Sequence, residues 1–151
     1  MTGFRARVAV AAHDERGAVS VLVVGIAVAL LVMAGLVVDG GNAINARQKI
    51  SDDTEQAARA GANQIDLVEL RTSGRVVVVE DQARAAAVSY LEHLGYDIGR
   101  IGVGFDAGEV VVSAEDTIGT QLLTFVGRTS FEVRGEASAR PAVGIIDEVL
   151  P

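Results

Sequence analysis

An apolar run near the start of the chain limits what this sequence can fold into. Residues 18–38 carry no charge, and only Ser20, Gly25 and Gly35 interrupt the larger apolar side chains. A helix of this length measures about 30 Å, which matches the hydrocarbon thickness of a bilayer. A cleaved signal usually has a shorter apolar region of about 7–15 residues and a small-x-small site after it, which DGGN at 39–42 matches poorly. A retained transmembrane helix is therefore favoured over a cleaved signal and over the core helix of a soluble protein.

Basic residues on the two sides of the run indicate its orientation. Arg5, Arg7 and Arg16 precede it, whereas Arg47 and Lys49 follow it. Cytoplasmic flanks of membrane helices carry the excess of Lys and Arg. We therefore expect a single-pass protein of the cytoplasmic membrane, with the amino terminus inside and the larger carboxy-terminal part extracytoplasmic.

A polar, alanine-rich helix is predicted to continue directly from the run. Residues 39–66 contain no proline and are rich in good helix formers. Small or apolar residues recur at helical spacing along one face, which predicts close packing against another helix or a thin sheet. The stripe consists of Ala43, Ala46, Ile50, Thr54, Ala57, Gly61 and Ile65. The Gly40-Gly41 pair is either a hinge or a weakened turn.

Two small residues inside the apolar run are further candidates for helix packing. Gly25 and Ala29 form a small-xxx-small pair, and such pairs allow helices to approach closely in lipid. Gly and Ala are also common in membrane helices without any such role, so both interpretations stay open. With the stripe, the helix-packing candidates are Gly25, Ala29, Ala43, Ile50, Ala57 and Gly61.

The amino-terminal third resembles the TadE/TadG-like family of Tad (Flp) pilus-assembly proteins. In that family a short basic tail and an Arg-Gly pair precede one apolar span, an Asp follows it directly, and an Asp- and Ala-rich helix comes next. The matching positions here are Arg16-Gly17, residues 18–38, Asp39-Gly40, Arg47-Gln48, Asp52-Asp53 and residues 57–62. The resemblance implies a membrane-anchored protein whose partners are lipid and other pilus-assembly or pilin subunits.

One departure from the related pilins concerns processing. Pilins and TadE-like pseudopilins are cut after a Gly, with a Glu at the fifth position that follows. Gly17 and Ala18 would form that site, but the fifth position is Leu22 and the span holds no acid. The sequence therefore lies nearer the uncleaved TadG-like side, and a minor pilin cut after Gly17 and built into a filament remains an alternative.

Residues 67–141 are predicted to form a small α+β domain. Residues 67–74 are interpreted as a linker or frayed helix end, and 75–80 as a short strand or the lead into the next helix. That helix has a stop signal at Gly95, and a hairpin follows that turns at residues 106–108.

Residues 118–128 then predict a short amphipathic helix ending at Gly127, followed by a last strand with Phe131 and Val133 on one face. This order implies an antiparallel sheet packed on helices, pilin-like in arrangement. Residues 110–140 also resemble the carboxy-terminal half of TadE/TadG-type domains.

The residue types give little support for catalysis or cofactor binding. The chain has no cysteine, and its histidines, His13 and His93, lack a metal-ligand spacing. The acidic cluster at residues 52–55 has no calcium-loop pattern, and the glycine-rich residues 102–108 fit no phosphate loop. Ser113, Ser130 and Ser138 have no histidine placed by pattern to activate them. We expect no enzyme, no cofactor, no metal and no small-molecule substrate.

The expected organisation follows from these features. It comprises a cytoplasmic tail (1–17), a transmembrane helix (18–38), an extracytoplasmic helix (39–66), the α+β domain (67–141) and a flexible tail (142–151). A net charge of −7 argues against nucleic acid as a partner. We expect a non-enzymatic protein that assists assembly or anchoring of a Tad/Flp-type (type IV) pilus. An anchored binding module unrelated to pili is the other alternative, and it would need a pocket in the region of residues 105–126.

Overall fold

The computed structural model describes residues 15–142, and side chains from Val19 onward. The elements are α1 (Glu15–Ala62), α2 (Leu67–Ser73), α3 (Glu80–His93), β1 (Ile101–Asp106), β2 (Glu109–Gly119) and β3 (Ser130–Ala139), with 3₁₀ turns at Ile98–Arg100 and Leu123–Val126. The predicted α+β class, a long apolar amino-terminal helix with a small antiparallel sheet, is confirmed. The expectations for residues 1–14, including His13, and for residues 143–151 lie outside the described part.

Helix α1 runs for 48 residues and continues through Gly40-Gly41. Among the described residues it is the one helix long and apolar enough to cross a membrane, with a mean hydropathy of 3.1 over its most apolar window. Only 6% of that window is buried by the rest of the chain. The apolar half of α1 is therefore uncovered, whereas a core helix of a soluble protein would be enclosed.

The three strands form one antiparallel sheet in the order β1-β2-β3. Asp106 pairs with Glu109, so the β1-β2 hairpin closes on the two residues Ala107 and Gly108. Both have positive φ, 46° and 83°, as a type I′ turn requires. The hairpin predicted at residues 106–108 forms there, with Gly108 suited to this conformation and Ala107 held in a left-handed region that a residue with a Cβ rarely adopts.

Helices α1 and α3 cover one face of the sheet. Val110, Val112 and Ala114 alternate along β2 and are fully buried. They form one apolar cluster with α1 and α3 residues, of which Ile50 and Leu91 are the largest. The second, alanine-rich half of α1 is therefore part of the domain core.

Glycines let the backbone of α1 approach its neighbours. A Cβ at Gly135 in β3 would lie 2.6 Å from the Ile50 carbonyl oxygen, and one at Gly61 would lie 3.0 Å from the Ala83 carbonyl oxygen of α3. Neither contact leaves room for a side chain. Small residues thus set the distances from α1 to the sheet and to α3.

Three local predictions differ from the structure or are sharpened by it. Residues 67–74 form a capped helix, α2, because the Asp66 carboxylate accepts two backbone N–H groups and Gly74 adopts a left-handed conformation. Of the two interpretations of residues 75–80, the lead into α3 is correct and the strand is not, since Val78 makes only an isolated bridge with Ile65.

The helix predicted over residues 118–128 is also wrong in extent. β2 continues to Gly119 because it pairs with β3 along its whole length, and only the short Leu123–Val126 turn is helical. The predicted stop at Gly127 is correct, with φ 86°.

Candidate functional site

The carboxylate of Asp39 joins the end of the apolar segment to the domain. Its Oδ1 accepts the backbone N–H of Gln121 at 2.9 Å, and its Oδ2 accepts those of Leu122 at 2.9 Å and Leu123 at 2.6 Å. Asp39 is only 2% exposed. Three successive donors thus converge on one buried acid, which fixes the start of the Leu123–Val126 turn against α1.

These hydrogen bonds hold Asp39 in its ionised form. The backbone N–H of Leu123 lowers the pKa of the carboxyl most, and those of Gln121 and Leu122 lower it further. Burial acts in the opposite direction but does not prevail. Charge-assisted bonds from backbone N–H groups favour a carboxylate in the same way at a helix N-cap.

Gly35, one helical turn before Asp39, allows this contact. The two residues lie on the same face of α1, and both are buried although their neighbours are exposed. A Cβ at Gly35 would lie 3.0 Å from Leu122 Cβ, tighter than an ordinary van der Waals contact. The glycine therefore leaves the space in which Leu122 packs on the helix.

Residues 122–126 are here named the apolar turn. They extend along α1 from Asp39 and lie beside the apolar segment of that helix. A groove of about 370 Å³ separates them from Val28, Leu31 and Val32 of α1. Its walls are almost entirely apolar side chains. Phe125 at the tip is 87% exposed, which is high for a large apolar residue.

A second cleft, of about 490 Å³, lies at the opposite side of the domain. It is bordered by residues 76–78, by the β1-β2 turn and by Arg140. Arg140 Nε donates to Glu109 at 2.6 Å, and bonds from Ser138 and Arg140 lower the pKa of Glu109. Both the cleft and the apolar groove adjoin residues 105–126, where a binding module unrelated to pili would have its ligand.

The comparison with protein families addresses α1. Residues 17–64 match the family described as "Putative Flp pilus-assembly TadE/G-like". The resemblance of the amino-terminal region to TadE/G-like proteins is confirmed, and the one stated for residues 110–140 stays a prediction. No curated protein and no solved structure matched the chain.

The TadE/G-like match ends within two residues of the end of α1. It includes the apolar segment, Asp39 and the small-residue stripe as far as Gly61. The match supports a Tad-related role in a pilus system and interaction with other pilus components. Together with the long apolar helix it is consistent with a membrane anchor.

The structure places the helix-packing candidates of the TadE/G-like segment in two environments. Gly25 and Ala29 are exposed on the apolar half, and Ala43 is half-buried. Ile50, Ala57 and Gly61 are buried against this chain's own sheet and α3, so they are not open to another protein. The proposed processing positions, Gly17 and Ala18, lie in the first turns of α1.

Residues considered for chemistry have local partners. The Nδ1 atom of His93 lies 2.6 Å from the carbonyl oxygen of Ser89, one turn earlier on α3. Asp53 pairs with Lys49 and accepts the Tyr96 hydroxyl at 2.7 Å, so it belongs to a polar contact between α1 and the residues after α3. Burial raises the pKa of the Tyr96 hydroxyl most, and the hydrogen bond and the negative charge of Asp53 raise it further. Within residues 15–142 no group of three or more potential ligands could hold a metal ion.

The sequence indicated Asp39 only as part of the resemblance and Gly35 only as a small residue within the apolar run, and it did not indicate the apolar turn. A signal was present, because a lone acid directly after an uncharged run of this length requires partners if it is buried. The second signal was the pair of apolar doublets at residues 122–126, Leu-Leu and Phe-Val, in a segment too short to form a core helix. Neither signal indicates that the two segments meet.

Proposed function

We propose that this chain is a membrane-anchored, non-enzymatic TadE/TadG-like protein that assists assembly or anchoring of a Tad/Flp-type pilus. The observation that carries the proposal is the match over residues 17–64, which falls on α1 and spans both its apolar segment and its junction with the domain.

The mechanism we propose is positional. Residues 18–38 hold the protein in the cytoplasmic membrane, and the rigid junction at Asp39 sets the height and direction of the domain above it. Because Ile50, Ala57 and Gly61 of the small-residue stripe are covered, partner surfaces must lie elsewhere on the domain. A groove of about 360 Å³ between α1 and β3 is open, and Ile44 at its side is 68% exposed. We assign pilus components to this groove and to the outer edge of β3.

Orientation is tested with single cysteines, because the natural chain has none. Val68 on α2 is 72% exposed, so Val68→Cys should leave the fold intact. A membrane-impermeant maleimide added to intact cells, or to spheroplasts where an outer membrane intervenes, should label this variant. Labelling only after the cytoplasmic membrane is opened would contradict the extracytoplasmic placement.

The pilus role is tested by deleting the gene in its own host and counting surface pili by electron microscopy. We expect pili to be lost and to return with the full-length chain. Asp39→Ala should restore fewer pili, whereas Asp52→Ala, an exposed acid on the same helix, should restore them fully. Normal piliation in the deletion strain would overturn the proposal.

A minor pilin is the second candidate, and one observation favours it. All side chains of residues 19–34 are exposed, and the interior of a filament of packed helices would cover such a surface as well as lipid does. Mass spectrometry of the mature protein separates the two candidates. A chain beginning at Ala18 and recovered in sheared pili would support the minor pilin, and an uncut chain in the membrane fraction would exclude it.

A further inference from the structure

The apolar turn lies beside the part of α1 that we propose to be within the membrane. Val28, at the far end of the shared groove, precedes Asp39 by 11 positions. At about 1.5 Å per residue the groove therefore reaches about 16 Å from Asp39 along the helix axis. This distance is about half the hydrocarbon thickness of a bilayer, so the turn and the outer half of the span occupy the same depth.

The side chains of the apolar turn suit that depth. From Thr117 to Gly127 the chain carries no charged residue, and Asp116 and Arg128 mark the two ends of this stretch. Phe125 and Val126 are 87% and 52% exposed, and both point away from the domain core. Large exposed apolar groups at a loop tip are unfavourable in water and favourable in hydrocarbon.

The backbone of the apolar turn also suits an environment without water. Asp39 accepts the N–H groups of Leu122 and Leu123. The carbonyl oxygens of Leu122, Leu123 and Thr124 accept from Phe125, Arg128 and Gly127, respectively. Each polar group paired inside the turn lowers the cost of placing its backbone in the acyl-chain region, where no water replaces a missing bond.

The hydroxyl of Thr124, the polar side chain within the apolar turn, is paired as well. It donates to the Thr120 carbonyl oxygen at 2.9 Å and lies 3.1 Å from the Thr120 hydroxyl. The turn thus presents Phe125 and Val126 outward and keeps the Thr124 hydroxyl and the carbonyl oxygens of residues 122–124 on internal partners.

We propose that the apolar turn is a second membrane contact: residues 122–126 enter the acyl-chain region of the outer leaflet beside α1, and Asp39 holds them there. The inference rests on the proposed membrane anchor. Lipid is the partner of the apolar turn because the side chains of residues 19–34 of α1 are exposed around the helix. The medium that surrounds the helix at this depth therefore also surrounds a turn that packs against it. Domain tilt is then restricted by two contacts with the membrane instead of one.

The experiment uses the full chain with single cysteines, each carrying an environment-sensitive NBD label, reconstituted in phosphatidylcholine vesicles. Val126→Cys reports on the apolar turn and keeps Phe125. Leu30→Cys, in the apolar half of α1, is the control for lipid, and Val68→Cys, on α2, is the control for water. All three positions are at least half exposed, so the labels leave the core undisturbed.

Quenching by phosphatidylcholine with a nitroxide on its acyl chain is compared with quenching by a water-soluble nitroxide. We expect the label at position 126 to lose fluorescence to the lipid quencher as the label at position 30 does, while the label at position 68 responds only to the aqueous quencher. Replacement of Phe125 by Ser should reduce lipid quenching at position 126 and leave it unchanged at position 30.

The other outcomes overturn the inference and are distinguishable. If position 126 responds like position 68 while position 30 is quenched by lipid, the anchor holds and the second contact is absent. If position 30 also escapes the lipid quencher, the proposed anchor fails and the inference fails with it. If position 126 is shielded from both quenchers, a second copy of the chain covers the groove in place of lipid.

Discussion

The carboxylate of Asp39 accepts the backbone N–H of Leu123 at 2.6 Å, although 84 residues separate the two in the chain. This bond and its two neighbours connect the last turn of the apolar segment to the connection between β2 and β3. A single anchor helix would allow the domain to swing about one point. The Asp39 contact instead fixes the connection between β2 and β3 to α1, so this end of the domain and the helix move together.

Removal of the Asp39 charge should loosen this junction. Asp39→Asn keeps the size of the side chain but replaces one accepting oxygen with an NH₂ group, which faces backbone donors. We expect a lower midpoint of thermal unfolding, followed by circular dichroism in detergent micelles. Asp52→Asn, on the exposed face of α1, is the matched control and should leave the midpoint unchanged. Equal midpoints for the two variants would contradict the structural role of Asp39.

Acidification should destabilise the domain partly through Asp39. Its pKa is lower in the folded protein than in the unfolded chain, so its contribution to stability is complete above the unfolded pKa of about 4 and is lost as the pH falls through the folded pKa. The free energy of unfolding should therefore decrease between about pH 5 and pH 2. Because the pKa of Glu109 is lowered as well, the diagnostic quantity is the difference between wild type and Asp39→Asn. The difference in unfolding free energy between the two proteins should shrink as the pH falls. A difference that stays constant would contradict a lowered pKa of Asp39.

A methyl group on Gly135 should separate α1 from the sheet. Its Cβ would lie 2.6 Å from the Ile50 carbonyl oxygen, and the backbone of a long helix cannot yield as a flexible side chain can. We expect Gly135→Ala to cost about 1–3 kcal/mol of unfolding free energy, as overpacking usually does. Gly104→Ala in β1 is the control, since nothing lies within 4 Å of its added Cβ. Chemical denaturation measures the unfolding free energy of both variants. A loss of unfolding free energy in Gly104→Ala but not in Gly135→Ala would refute the close approach of α1 at Gly135.

A larger residue at Gly35 should detach the apolar turn while α1 stays intact. Leu122 Cβ occupies the space that a side chain at this position requires. In Gly35→Val the amide hydrogens of residues 121–123 should exchange roughly tenfold faster or more, because overpacking raises the population of the open state. Gly25→Val places the same β-branched residue in the same helix with nothing within 4 Å of its Cβ. Hydrogen exchange in micelles should show no change at residues 121–123 in that control, and unchanged exchange in Gly35→Val would sink the prediction.

The sequence determined the elements whose signals are local. The uncharged run at residues 18–38 and the spacing of Ile50, Ala57 and Gly61 define the two halves of α1, because burial in lipid or protein selects residue types at each turn of the helix. The hairpin turn at Gly108 and the stop at Gly127 follow from glycines, which tolerate positive φ. These features require no knowledge of distant parts of the chain.

Only the tertiary structure decided which segments meet. Residues 75–80 have the composition of a strand but lack a partner strand, whereas β2 is longer than its local pattern indicates because β3 pairs with all of it. The small-residue stripe is compatible with any flat neighbour, and the structure places the chain's own sheet there. Asp39 is the clearest case, since its local sequence looks like the polar end of a membrane helix. Its role depends on three backbone groups more than 80 positions away, and hydrogen bonds over such separations leave no periodic trace in a sequence.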